Sequence, residues 1–304
     1  MSYEVNQRDP VLAADLVLRL ARRHLPSATK VSGVDETGGE ARAYAIDADW
    51  ILKTQRPHRV RPRTSLAKEA FHLGQLAENA PEVNVPRVLG YGRQGDVEYI
   101  LMTRMPGVAL RYVAVEGDAR MGLLRDLGAA LRRMHGLSLD PFVNSQLFPG
   151  DADSAAIADR LARDLDRAVE AATAQRDEWT LPVSPADFAQ IVREGVRSVT
   201  DPPVALHSNP GPEHVFVDPT TLRLSGIIDF GDAYLSHPAM DMRRWGAPAD
   251  RSALIAGYAA DGPPSDTFHA NWRAISVANL MLDFASRPSR RIEALRSLQL
   301  LMAT

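Results

Sequence analysis

Apolar and polar positions change rhythm once along this chain, near residue 106. Before it, a helical spacing in "VLAADLVLRLARRHL" is followed by short runs in which apolar and polar residues alternate. Asp9 suits the N-cap of that first helix and Pro10 its first position. The runs "KVSGVD", "ARAYAID" and "DWILKTQ", separated by turn residues, predict a β-meander. "SLAKEAFHLGQLAEN" predicts a helix of about four turns. "VPRVLGYG" and "VEYILMTRMPG" predict two more strands, the second closed by Pro106-Gly107. Residues 1 to about 105 therefore read as a mostly antiparallel sheet carrying one helix.

Beyond Pro106-Gly107 the period is helical. "ARMGLLRDLGAALRRMHGL", residues 152–176, "SPADFAQIVREGVRSV" and three segments at 251–260, 265–284 and 287–303 all read as helices. Ser184, Pro185 and Asp187 form a helix-start signature. One stretch interrupts this pattern. "HVFVD" and "LRLSGIID" are strand-like and joined by "PTT". A hairpin centred on Thr220 and Thr221 sets residue 214 opposite about residue 228, so His214 and Asp229 emerge at one end, with Asn209 on the loop just before. Gly231 relaxes the chain after Asp229. The fold class is α+β, divided into residues 1–105 and 106–304.

Composition narrows the function. Hydrophobic residues make up 45% and charged residues 24% of 304, as in globular proteins, and the net charge of −3 gives no basic field to recruit nucleic acid. There is no cysteine, which excludes disulfides, thiolate zinc sites and a cysteine nucleophile. The polar opening "MSYEVNQRDP" lacks the apolar core of a signal peptide, and no apolar run approaches the ~20 residues of a membrane helix. The expectation is a cytoplasmic protein that binds neither membrane nor nucleic acid; oligomeric state is open. Only Lys30, Lys53 and Lys68 among 35 basic residues are lysine, so each retained lysine merits scrutiny.

"HSNPGPEHVFVD" with "IIDFGD" gathers His207, Asn209, His214 and Asp229 about the hairpin. A surface hairpin with solvated turn residues is the bland alternative. The ordered motifs resemble the aminoglycoside phosphotransferase-like kinases, relatives of the protein kinases. In that family a His-x-Asp-x-x-x-x-Asn loop precedes Asp-Phe/Trp-Gly by about the separation seen here. "LSHPAMD" and "LRRMHGL" resemble further family segments, and the likeness spans about residues 31 to 245. It implies a bilobal protein-kinase-like fold with a β-rich N-lobe and a helical C-lobe. The implied activity is transfer of the γ-phosphate of ATP or GTP to a hydroxyl of a small acceptor, with Mg²⁺.

The resemblance also assigns residues. Lys53 would meet the nucleotide phosphates and Glu69 would orient it. Gly38 and Gly39, in "ETGGEA", would form the turn over the triphosphate. The backbone of Thr103 and Met105 would read the base, with Met102 lining its site. Asp229 would hold magnesium. His214 stands where the family most often has Asn, although some members, including macrolide phosphotransferases, are similar in having His there; it is a poorer magnesium donor. His207 and Asp241 read as braces for the loop, and Asp232 has no assigned role. Asn209 occupies the position of the family's catalytic Asp, with an amide in place of a basic carboxylate. Three accounts are open: an introduced substitution, a protein that binds nucleotide without transfer, or an enzyme relying on positioning and metal. Lys53, Glu69 and Asp229 are all retained, which favours a kinase scaffold; the alternative is a catalytically silent nucleotide-binding regulator. A metal hydrolase leaves Lys53 and Glu69 unexplained. Residues 151–200 hold ten Asp/Glu against six Arg, but residues 251–304 hold four against six. An aminoglycoside, or a less charged macrolide, sugar or amino alcohol, fits that balance as acceptor.

Overall fold

The computed structural model describes residues 11–59, 64–197 and 199–302. It is α+β, with a β-sheet N-terminal region and a helical C-terminal region, as the periodicity predicts. Asp9 and Pro10 lie outside the described residues. Two compact units are assembled from interleaved segments. One comprises residues 1–114, 137–148 and 212–233; the other comprises 115–136, 149–211 and 234–304.

The first unit is built on a five-stranded antiparallel sheet in the order β1-β2-β3-β5-β4. Its strands are β1 (Val31–Asp35), β2 (Ala41–Ile46), β3 (Trp50–Gln55), β4 (Val88–Gln94) and β5 (Val97–Thr103). Helix α1 (Ala14–Arg22) covers one face: Val17, Leu20 and Ala21 pack with Tyr44, Ile46, Leu52, Tyr99 and Leu101. Side chains alternate across a strand, so the opposite face carries Ala43, Lys53 and Ile100, which are paired in register. Helix α2 (Leu66–Asn79) starts at Ser65, whose hydroxyl accepts from the Ala67 and Lys68 amides. A short helix, α4 (Asp140–Ser145), buries Phe142 in this unit. Its six residues are too few to register as a period in the sequence.

A second sheet of this unit has the order β6-β8-β9: β6 (Val108–Ala109), β8 (Val215–Val217) and β9 (Leu224–Ile227). Gly107 turns the chain into β6 at φ +84°, and a Cβ there would lie 2.3 Å from the Val217 carbonyl oxygen, so only glycine serves. The β8–β9 turn is fixed by Asp218, whose carboxylate accepts from the amides of Thr220 and Thr221.

In the second unit α3 (Gly117–His135) crosses α7 (Pro248–Tyr258) closely. A Cβ at Gly128 would come within 2.0 Å of the Leu254 carbonyl oxygen, and one at Gly257 within 2.0 Å of that of Arg125. Helices α5 (Ser154–Thr173), α6 (Pro185–Arg197) and α9 (Arg291–Met302) pack on α8 (Phe268–Ser286). Ser184 caps α6, its hydroxyl accepting from the Asp187 amide. The periodicity leaves out strands β7 (Val204–Leu206) and β10 (Tyr234–Ser236), which pair antiparallel on either side of the hairpin in sequence. Three residues each are too few to show alternation.

Candidate active site

Lys53 sits at the centre of β3. Its ammonium donates to Glu69 Oε2 at 2.7 Å and to Asp229 Oδ1 at 2.5 Å. Three segments far apart in sequence thus meet at one nitrogen. Glu69 is fully buried on the first turn of α2, while the Asp229 side chain is 40% exposed. Burial works against the Lys53 charge, but Asp229 and Glu69 outweigh it and hold the ammonium well above the usual lysine range. Burial pushes the Glu69 carboxyl up, opposed by Lys53 and raised further by the Asp229 charge.

Asp229 reaches this point through the hairpin. Val215 pairs with Ile227, and the Ile228 amide donates to the His214 carbonyl, which is the register predicted from the sequence. His214 Nε2 lies 3.2 Å from Asp229 Oδ2, so the two residues do emerge together. Asp229 itself is left-handed, at φ +74°, whereas Gly231 is not. A non-glycine residue holds that conformation only where its surroundings enforce it.

The predicted turn over the phosphates is a pinned β1–β2 connection. The Asp35 carboxylate accepts from the Thr37 amide and hydroxyl, and Glu36 pairs with Arg42 at 2.9 Å. A Cβ at Gly38 would lie 2.7 Å from the Ala41 carbonyl oxygen, whereas Gly39 faces open space. At the end of β5 the Thr103 amide donates to the Arg87 carbonyl. Any outside partner of the Thr103 backbone therefore uses its carbonyl. Met105 is buried, with its sulfur against the Cα of Gly226, where a Cβ would lie 2.2 Å away.

In the second unit, the loop of Asn209 is braced from beneath. Asp241 is fully buried and accepts from the His207 amide at 2.8 Å, the Ser208 amide at 2.7 Å and His135 Nε2 at 3.1 Å. His207 Nδ1 accepts from the Asn209 amide at 3.2 Å. Burial pushes the Asp241 carboxyl up, but His135, His207 and these amides outweigh it and hold it below the usual carboxylate value. Ser208 is left-handed at φ +83°. Arg243, to which the sequence assigns no role, donates to the Ser208 carbonyl at 2.8 Å, and its position two residues after Asp241 was the available signal.

The donors present suit a single hard cation through Asp229, whose exposed carboxylate can share it with phosphate oxygens and water. Among the described residues no group of three or more His, Asp or Glu forms a self-sufficient metal site. His214 contributes nitrogen, a weak magnesium donor, so a second ion is not supported. Among the described residues no helix is long and apolar enough to cross a membrane.

In a sequence search of curated proteins, none matched. The chain resembles aminoglycoside 2'-phosphotransferase-IIIa, solved as a GDP complex, at TM-score 0.64 and 17% identity, over 96% of this chain and 99% of that one. It resembles macrolide 2'-phosphotransferase MphH from Brachybacterium faecium at TM-score 0.61 and 20% identity, over 94% and 97%. The streptomycin–ATP ternary complex of APH(2")-IIa superposes at TM-score 0.58 and 15% identity, over 97% and 98%. These likenesses establish a protein-kinase-like fold. Residues 34–274 match the model of the phosphotransferase enzyme family, and the chain belongs to that family.

Proposed function

We propose that this protein moves the γ-phosphate of ATP or GTP to a hydroxyl of a small molecule of antibiotic type, and that Asn209 slows the transfer. The observation carrying this reading is the convergence of Lys53, Glu69 and Asp229. Phosphoryl transfer asks a protein mainly to position charges, and this cluster supplies one cation braced by two carboxylates. Lys53 holds a phosphate oxygen and Glu69 keeps it oriented. The small side chains of Ala43 and its neighbours Ala41 and Ala45 leave room for a flat base on the face that carries Lys53. In this reading Gly38 and Gly39 approach the phosphates, and Thr103 and Met105 address the base edge. In this reading residues 1–105 bind the nucleotide, and residues 106–304 carry the catalytic loop, the metal site and the acceptor-binding helices.

Magnesium held by Asp229, with His214 beside it, would neutralise charge on the phosphate oxygens. Asn209 accepts a hydrogen bond from the acceptor hydroxyl through its amide oxygen but cannot take its proton. General-base assistance is worth roughly 10²- to 10⁴-fold, and that is the expected deficit. Neighbours in fold include complexes with kanamycin and with streptomycin, which supports acceptors bearing several hydroxyls. The arginine excess at residues 251–304 supports a less cationic acceptor.

The test is incubation of the protein and of Asn209→Asp with ATP or GTP, Mg²⁺ and a panel of aminoglycosides, macrolides and amino alcohols. Phosphorylated product, faster with Asn209→Asp, is expected. Nucleotide binding without product from either form favours a second reading, a silent nucleotide-binding regulator, to which the Asn209 amide itself points.

A further inference from the structure

The phosphotransfer reading leaves Lys68, Thr64 and Asp232 unused, yet Lys68 is only 3% exposed. Burying an ammonium is costly unless it is firmly bonded, and lysine is scarce in this arginine-rich chain. Its Nζ donates to the Ala233 carbonyl at 2.8 Å. One turn earlier, the Ser65 amide donates to the Gly231 carbonyl at 3.1 Å. The Thr64 hydroxyl bonds to the Asp232 carboxylate. Three consecutive residues, 231–233, are thus each tied to the start of α2, at 65, 64 and 68.

We propose that Lys68 is a positioning residue at the centre of a clamp that locks the Asp229 segment to α2. The strained backbone supports this. Asp229 is left-handed, a conformation that a non-glycine residue keeps only when its neighbours enforce it. The clamp holds residues 231–233, which follow it by one residue. Glu69, which takes Lys53 on Oε2, is the residue next to Lys68 on the same turn of α2. The Lys53 pairs and the Asp229 backbone therefore form and open together. The consequence for nucleotide binding rests on the phosphotransfer reading; the clamp does not.

Amide hydrogen exchange on ligand-free protein tests the clamp without any nucleotide. In Lys68→Met, which keeps most of the buried stem, the amides of Ser65 and Ala233 exchange at least about tenfold faster, while those of β2 and β3 are unchanged. Thr64→Val removes only the Asp232 contact and speeds Ala233 less. If Lys68→Met does not fold, Thr64→Val carries the test alone. Unchanged exchange at residues 231–233, or a rise spread evenly over the sheet, overturns the proposal. A second readout is nucleotide titration with and without Mg²⁺. Lys68→Met loses the part of the affinity that depends on Mg²⁺ and keeps the rest. Loss of both parts alike overturns the coupling to Asp229. Wild-type protein that binds no nucleotide removes the phosphotransfer reading and leaves the exchange result standing.

Discussion

Replacing Lys53 with Met leaves the Glu69 carboxylate buried without its cation. Glu69 has no exposed side-chain surface, and its pair with Lys53 is 2.7 Å long. Removing one partner of such a pair costs about 3–5 kcal/mol. The Asp229 contact is 40% exposed on the carboxylate side and adds at most about 1 kcal/mol. Glu69 can limit the loss by taking a proton. Its carboxyl is already above its ordinary 4.5 through burial, and loss of the ammonium raises it further. Above that ordinary value the unfolded chain has released the proton while the folded variant keeps it. Stability of the variant therefore falls as pH rises, by about 1.4 kcal/mol per pH unit until the folded-state pKa is reached. Urea denaturation of wild type and Lys53→Met at several values from about pH 5 to about pH 8 measures this gap. The gap should widen with pH, and the double variant Lys53→Met, Glu69→Gln should recover part of the loss and flatten the dependence. A gap constant with pH, or no recovery in the double variant, refutes the reasoning.

Other residues give independent tests. Asp241→Asn exchanges a buried acceptor of two backbone amides for an amide group and should cost about 3 kcal/mol, read by denaturation. Because the Asp241 carboxyl is held below its ordinary 3.8, its contribution is present above that value and is lost as pH falls through the folded-state pKa; the acid limb of unfolding should be shallower in the variant. Asn209→Asp should raise turnover roughly 10²- to 10⁴-fold in the product assay if the protein is an enzyme. Gly128→Ala drives a Cβ into the Leu254 carbonyl at the α3–α7 crossing and should lower the unfolding free energy by about 1–3 kcal/mol.

Long-range order was legible where a residue type had a motif around it. The hairpin turn residues and alternation at 214–229 fixed the register that joins His214 to Asp229, and the alternation of "DWILKTQ" placed Lys53 within a strand. Ser184 as a cap followed from local chemistry alone. What stayed hidden depends on partners distant in sequence. Adjacent charges at Lys68 and Glu69 suit a solvated helix face as well as a buried one, and only the approach of residues 231–233 decides between them. Strands β7 and β10 are three residues long and are defined by pairing with each other. The left-handed Asp229 contradicts the local preference for glycine, because the clamp outweighs that preference.

The central claim is that Lys53, Glu69 and Asp229 form a nucleotide-phosphate site. Calorimetric titration of ATP and GTP in Mg²⁺ into wild type, Lys53→Ala and Asp229→Asn tests it most directly. Wild type should bind at least one nucleotide, and each substitution should weaken binding by about tenfold or more, the range of a lost charge-assisted contact. Failure of wild type to bind either nucleotide, or binding untouched by both substitutions, would contradict the account.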